Sequence, residues 1–383
     1  MNQLIYLDNA ATTALDPQVL AEMLPYMNGN YGNPSSSYGF GRTVKSAIES
    51  ARKRVATHLN VKPTSIFFTS GGTESNNTAI ASAIYDLGCT HIITSPIEHH
   101  AVIHTVEHYC KRENITFSFV KLLNSGEVDY EDLSDQLAAQ QALNKKTLVS
   151  LMHANNEIGS LLDLKRTGEI CKKYEAIFHS DCVQTVGHYP IDLSEINVHF
   201  ISGAGHKFHG PKGVGILYIN QMVKASPLIY GGGQERNMRA GTENTYGIVG
   251  FAKALDMAME QYARDYGYIS SLRSDMKKKL LAAIPDITFN NPDNSLYTVL
   301  SVCFPGVAHT ELMLVHFDMA GICVSSGSAC SSGDGSHVMN ALNRSESGAT
   351  IRFSFSKHNT QSEIDKAVEV ASLALAKVRP VAV

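Results

Sequence analysis

The chain has 383 residues, 44% of them apolar, with a formal charge of −4 at pH 7 and a pI near 6.5. That length allows a sizeable core and suggests two or three domains. The lack of a basic stripe argues against direct nucleic-acid binding, and no apolar run approaches the roughly 20 residues of a membrane helix. The start of the chain lacks the charged stretch and apolar run of an export signal, so a soluble, cytoplasmic protein with no membrane partner is expected.

From about residue 17 to 250, helical and strand patterns alternate. Helices are predicted at 43–58, 74–87, 99–111, 130–141 and 164–174, each with apolar residues at helical spacing. Between them fall short apolar runs at 65–69, 91–94, 117–122, 148–152, 177–180, 198–201 and 215–219. Such runs suit strands covered on both faces, as in a mostly parallel sheet wrapped by helices. After Gly247 the pattern changes. One long helical stretch, 247–283, precedes strand-like pieces at 298–303 and 350–355 and a last helix at 361–377. The expected fold class is α/β, with a large domain over 17–256 and a smaller α+β domain built from 1–16 and 257–383.

The seven cysteines are Cys89, Cys110, Cys171, Cys182, Cys303, Cys323 and Cys330. Their odd number, wide spacing and lack of a C-x-x-C argue against a disulfide framework or a structural zinc site. Six of them are expected to be small buried residues in a reducing compartment.

Four segments carry chemistry. In Thr69-Ser-Gly-Gly-Thr-Glu-Ser-Asn76 a strand passes through glycines into a helix, which makes either an anion site around Thr73 or a helix capped by Ser70 or Thr73. In Phe178-His-Ser-Asp-Cys-Val-Gln184 a strand ends on Asp181, which is either a solvated aspartate or a carboxylate facing a pyridine nitrogen. In Ser202-Gly-Ala-Gly-His-Lys-Phe-His-Gly-Pro-Lys-Gly-Val-Gly215, Lys207 sits among small residues that let a flat ligand approach. Its amine is either a turn lysine, as Lys212 is expected to be, or a Schiff-base partner for an aldehyde cofactor. In Val324-Ser-Ser-Gly-Ser-Ala-Cys-Ser-Ser-Gly-Asp-Gly-Ser336, Cys330 lies among small polar residues, an unsuitable place for a core thiol and a suitable one for a reactive thiol.

Taken together these segments resemble one family, the cysteine desulfurases of the NifS/IscS type, which belong to the fold-type I pyridoxal-phosphate (PLP) enzymes. The resemblance runs nearly end to end. It includes Tyr6-Leu-Asp-Asn-Ala-Ala-Thr-Thr13, Tyr31-Gly-Asn-Pro-Ser-Ser36, Glu98-His-His-Ala-Val102, Asn155-Asn-Glu-Ile-Gly159, His206-Lys207, Gly231-Gly-Gly-Gln-Glu-Arg236, Arg239-Ala-Gly-Thr242 and Ser325-Ser-Gly-Ser-Ala-Cys330.

The resemblance implies a PLP-dependent conversion of L-cysteine to L-alanine. Sulfur passes to Cys330 as a persulfide and then to an acceptor protein, such as an iron–sulfur scaffold or a transfer-RNA thiolation protein. Lys207 is implied to hold PLP covalently and move protons. His99 stacks on the ring and acts in acid–base chemistry. Asp181 faces the ring nitrogen, and Gln184 reaches the ring hydroxyl. Gly72, Thr73 and His206 hold the phosphate, as does Thr242 from the neighbouring subunit of a homodimer. Asn155 and Arg352 grip the substrate carboxylate, a task for which a guanidinium fork is suited.

Three positions depart from the family's pattern: Ala204 where many relatives carry a phosphate-binding serine, Tyr38 where histidine is usual, and Ser356 where glycine is usual. Ser202 is a candidate substitute for the missing hydroxyl. A selenocysteine or cysteine-sulfinate lyase, an aminotransferase and an idle sulfur-assembly scaffold are the rival readings. The spacing of His100, His104 and His108 alone suits zinc. That run lacks a further kind of ligand, so no metal site is expected beyond Cys330 as a transient iron–sulfur ligand.

Overall fold

The computed structural model describes residues 4–327, 336–345 and 348–379. Seven strands form the central sheet: β2 (Ile66–Thr69), β3 (His91–Thr94), β4 (Thr116–Phe119), β5 (Thr147–Ser150), β6 (Ile177–Asp181), β7 (Phe200–Ala204) and β8 (Gly215–Ile219), in the spatial order β2-β8-β7-β6-β5-β3-β4. Strands β4, β3, β5, β6 and β7 run parallel, whereas β8 lies antiparallel to both β7 and β2. The α/β class is as expected, and the exception at β8 has a simple cause. The connection from Ala204 to Gly215 is shorter than the dozen or more residues that a parallel crossover requires. β2 then runs in the same direction as the parallel strands, so its carboxyl end shares their edge.

Helices cover both faces: α1 (Pro17–Asn28), α2 (Gly39–His58), α3 (Gly72–Tyr85), α4 (His100–Arg112), α5 (Tyr130–Ala142), α6 (Leu164–Lys173) and α7 (Thr245–Glu260). One core gathers Val19, Ile48, Val55, Phe178, Phe251 and Leu255; on the opposite face Ile80, Ile84, Ile92, Val102, Val106 and Leu148 pack together. Strand β4, expected to be covered on both faces, is instead a partly exposed edge strand.

The helical stretch predicted at 247–283 is two helices. α7 ends before Gln261, and α8 (Tyr262–Ala283) packs into a separate core. That core also takes β9 (Thr288–Phe289), β10 (Val299–Phe304), α9 (Thr310–Met319), β12 (Ala349–Ser354) and α11 (Gln361–Val378). Two short elements complete the described chain, β11 (Ile322–Cys323) and α10 (His337–Ala341). The N-terminal β1 (Ile5–Tyr6) pairs in parallel with β11, which ties the start of the chain to its last third. A capping box of Thr360 and Glu363 opens α11.

Two histidines on the sheet carry shifted imidazoles, the buried His179 in β6 and the half-buried His153 just after β5. His179 of β6 meets Ser150 Oγ at 2.9 Å and Ser202 Oγ at 3.2 Å, and His153 Nδ1 meets Thr185 Oγ1 at 2.8 Å. Burial lowers both imidazoles to about 4. Between pH 6.5 and 4 the unfolded chain binds protons there and the folded chain does not. Their stabilising contribution is therefore complete above pH 6.5 and is lost as the pH falls toward 4, by roughly 1.4 kcal/mol per pH unit for each group. Urea unfolding at pH 7, 6 and 5 should show the midpoint moving steadily downward. A midpoint that stays constant across that range would contradict neutral histidines at these positions.

Candidate active site

The helix start at α3 is open. Its N-cap is Gly71, and no side chain caps it, so an ordinary capped helix is excluded. The backbone approaches closely here. A Cβ on Gly72 would meet Val183 Cγ2 at 2.4 Å, and one on Gly215 would meet Gly71 Cα at 2.7 Å. Free N–H groups at a helix start, with Thr73 beside them, suit a phosphate. His206 lies on the same side, its Nδ1 3.1 Å from Thr12 Oγ1, and burial beside Lys207 lowers its imidazole to about 4.

A cleft of ≈ 820 Å³ follows the carboxyl ends of β2, β6 and β7. Gly72, Thr73, His99, Asp181, Gln184, Ala204, His206, Lys207 and Arg352 all line it, which brings nine of the residues expected from sequence into one place. Ligands of open α/β sheets bind outside this edge because loops from several strands converge there.

The acidic end of β6 is held firmly. Asp181 Oδ2 accepts from Asn76 Nδ2 at 2.7 Å, and Oδ1 accepts from Val183 N at 2.9 Å. Lys207 sits in a short turn after β7, where Nζ donates to the carbonyls of Ala10 at 2.6 Å and Ala11 at 2.8 Å. Gln184 Nε2 donates to the same Ala10 carbonyl at 3.1 Å. His99 is the N-cap of α4, its Nδ1 accepting from Ala101 N at 3.1 Å. Burial lowers its pKa, against the pull of Asp181, and favours a neutral ring. Behind it, burial pushes the Glu98 carboxyl well above its ordinary range.

Arg352, 2% exposed, donates from Nη1 to Asn156 O at 3.0 Å and from Nη2 to Asp8 Oδ1 at 2.7 Å. Its Nε is buried and has no hydrogen-bond partner among the described residues. Arg352 lines the cleft, and its guanidinium is the matching group for a carboxylate there.

Two expected residues are placed elsewhere. Asn155 is fully buried and does not line the cleft; its amide donates to Ile97 O at 2.8 Å, and its carbonyl oxygen accepts from Glu157 N and Ile158 N. Asn156 takes the lining position. Thr242 is exposed and borders a different cleft, with Arg239 and Glu243. Cys330 lies outside the described residues. The residues on either side of that segment converge on Glu157: Ser336 Oγ donates to Glu157 Oε2, and a Cβ on Gly327 would stand 3.3 Å from the same oxygen.

Asn76 was not singled out from sequence, although it closes the glycine-rich segment. It lies one helical turn beyond Gly72, and that spacing is the available signal. The expected substitute Ser202 does not line the cleft; it bonds His179 instead. Ala204 does line it, 3.8 Å from a Cβ built on Gly72. Ala204→Ser should therefore strengthen phosphate retention by about 0.5–1.5 kcal/mol. Cofactor remaining after dialysis checks this, and equal retention would mean that the new hydroxyl finds no anion.

Among the described residues no group of three or more His, Cys, Asp and Glu side chains is placed to hold a metal ion. His100 and His104 stack at 4.7 Å, while His108 meets Tyr109 instead. Burial raises the thiol pKa of Cys89 and Cys182 to about 12, which makes both poor nucleophiles. Cys110 and Cys323, expected to be buried, are only partly so.

The family model of the class-V aminotransferases matches residues 5–367. The chain belongs to that family. It is 41% identical over 379 residues to the cysteine desulfurase IscS of Clostridium botulinum strain Hall, covering 97% of this chain and 94% of that one. It is 40% identical over 389 residues to the cysteine desulfurase IscS of Dictyoglomus turgidum, covering 100% and 97% respectively. A solved NifS-like protein superimposes with a TM-score of 0.90 at 36% identity, covering 98% of this chain and all of that one. The fold is thus that of the fold-type I enzymes.

Proposed function

We propose that the protein is a PLP-dependent cysteine desulfurase that converts L-cysteine to L-alanine and passes the sulfur to Cys330. The observation that carries this reading is the convergence of Lys207, Asp181, His99 and Arg352 on one cleft beside an uncapped helix start. The named activity of relatives about 40% identical over nearly the whole chain supports it.

The residues fit the cofactor. The start of α3, with Gly72, Thr73 and His206, would take the phosphate. Asp181 would keep a proton on the ring nitrogen, Gln184 would reach the ring hydroxyl, and His99 would cover the ring face. When bound, PLP supplies an electron-accepting ring that makes the α-proton of the amino acid removable. Arg352, on the cleft wall, would orient the substrate through its guanidinium. Asn155, behind the wall, holds the turn that presents Asn156. Lys207 would hold the cofactor through its amine and, when that amine is free, would move protons at the substrate. Cys330, as thiolate, attacks the substrate sulfur; the Cβ–S bond breaks, and Cβ takes a proton as alanine forms.

The reading extends to a large body over 17–256, a smaller one from 1–16 and 257–383, and a homodimer whose partner places Thr242. It also extends to a cytoplasmic setting, an iron–sulfur scaffold or thiolation protein as sulfur acceptor, and Cys330 as a transient cluster ligand. No described helix is long and apolar enough to cross a membrane.

Incubation with L-cysteine and a thiol reductant, measuring alanine and sulfide together, tests the activity. Equal amounts of both are expected. A keto acid in place of alanine would make the enzyme an aminotransferase, and no product at all would leave a scaffold.

A further inference from the structure

Lys207 stands between two cavities. In front is the cleft with Asp181 and Arg352; behind is a second cavity lined by His188, Phe208, Tyr297 and Lys207 itself. The main-chain carbonyl of Lys207 is gripped from behind, 3.0 Å from His188 Nε2. A carbonyl oxygen only accepts, so Nε2 carries the ring proton and Nδ1 is left as an acceptor. Tyr297 Oη lies 3.3 Å from Nδ1 and donates to it. Burial lowers the His188 pKa, which agrees with a neutral ring.

The two ends of this bridge belong to different cores. Tyr297 is buried among Tyr189 and Tyr266, at ring distances of 5.5 and 4.8 Å, in the core that α8 and β10 build. His188 follows β6 and faces the turn after β7, in the body of the central sheet. The chain Tyr297–His188–Lys207 therefore runs from the smaller core into the backbone of the lysine.

We propose that His188 is a positioning residue for Lys207. It fixes the lysine's main chain through Nε2–H and refers that position to the second core through Tyr297. The inference rests on Lys207 being the cofactor lysine. The side-chain contacts of Nζ with the Ala10 and Ala11 carbonyls cannot persist once the amine bonds a carbon atom and moves protons. The hold on the main-chain carbonyl is independent of what Nζ does and lasts through the whole cycle. Proton transfer is sensitive to displacements of about 1 Å, so such an anchor affects chemistry and not only stability.

The test uses the PLP-loaded full chain and the variants His188→Gln, His188→Asn and Tyr297→Phe. The glutamine amide nitrogen stands near the place of Nε2; the asparagine amide reaches only the place of Nδ1. Three readouts are taken: the rate at which borohydride traps cofactor on Lys207, the pH midpoint of the cofactor's visible absorbance change, and the melting temperature. We expect His188→Gln to match the wild type. In His188→Asn borohydride should trap cofactor on Lys207 about fivefold more slowly and the pH midpoint should shift, at a nearly unchanged melting temperature. Tyr297→Phe should fall between the two.

Identical trapping rates and midpoints in all four proteins would overturn the inference. So would equal losses in the glutamine and asparagine variants that track the melting temperature. If the wild type traps no cofactor on Lys207, the cofactor assignment itself fails, and the inference falls with it.

Discussion

Replacement of Lys207 by alanine should leave a protein that holds no PLP covalently and turns over cysteine about 10³-fold more slowly or worse, the scale expected when a positioned acid–base group is removed. The geometry singles out this lysine. Its Nζ lies between the Ala10 and Ala11 carbonyls, on the wall that Asp181 and Arg352 share. Lys212, five positions later, is exposed and borders only the phosphate side. Borohydride reduction of the wild type followed by peptide mass mapping should place the pyridoxyl label on Lys207. A label on Lys212 or any other lysine would overturn the assignment, whatever the activity of the alanine variant.

Cys330→Ala should divide the reaction in two. On the proposed reading, cofactor binding and cysteine binding rest on Lys207, Asp181, His99 and Arg352, none of which is altered. Sulfur removal depends on a nucleophile, and loss of such a group costs about 10³-fold or more in turnover. The variant should therefore keep the cofactor's spectrum and its response to cysteine, yet release almost no alanine or sulfide. After a short cysteine pulse, the wild type should carry one added sulfur on the peptide containing Cys330. Cys303→Ala is the contrasting case. Cys303 is a buried residue of β10, and burial raises its thiol pKa, so its loss should lower stability and spare turnover. Near-normal turnover in Cys330→Ala would replace the persulfide route with a direct lyase.

Much of the site was legible because its chemistry is local. Gly71 and Gly72 followed by Thr73 announce a strand running into a helix, which the structure leaves uncapped. Asp181 closes an apolar run, and Lys207 lies in a glycine-rich turn. Each of these residues sits at an end of a strand or helix. Asn155 and Asn156 show the limit of such reading. The two are adjacent, alike and in one motif, yet one turns inward to Ile97 O while the other faces the cleft. Side-chain direction there depends on which neighbour offers a carbonyl, and that neighbour is 58 positions away. Ser202 likewise looked available from sequence until His179, on the adjacent strand, proved to be its partner.

By itself, the sequence determined the alternation of strands and helices, since buried apolar runs and helical spacing are properties of short segments. It also determined the chemical inventory of the site. Tertiary structure decided where one helical pattern breaks at Gln261, because the two halves bury their apolar faces in different cores. It decided that Asn76 would brace Asp181, that Arg352 would reach Asp8 and the Asn156 carbonyl, and that Tyr297 and His188 would reach the back of Lys207. These outcomes depend on pairings between residues distant in sequence, for which neither residue's own surroundings carry a signal. The physical reason is that a hydrogen bond needs its partner's position as well as its identity, and position exists only once the sheet and the two cores have formed.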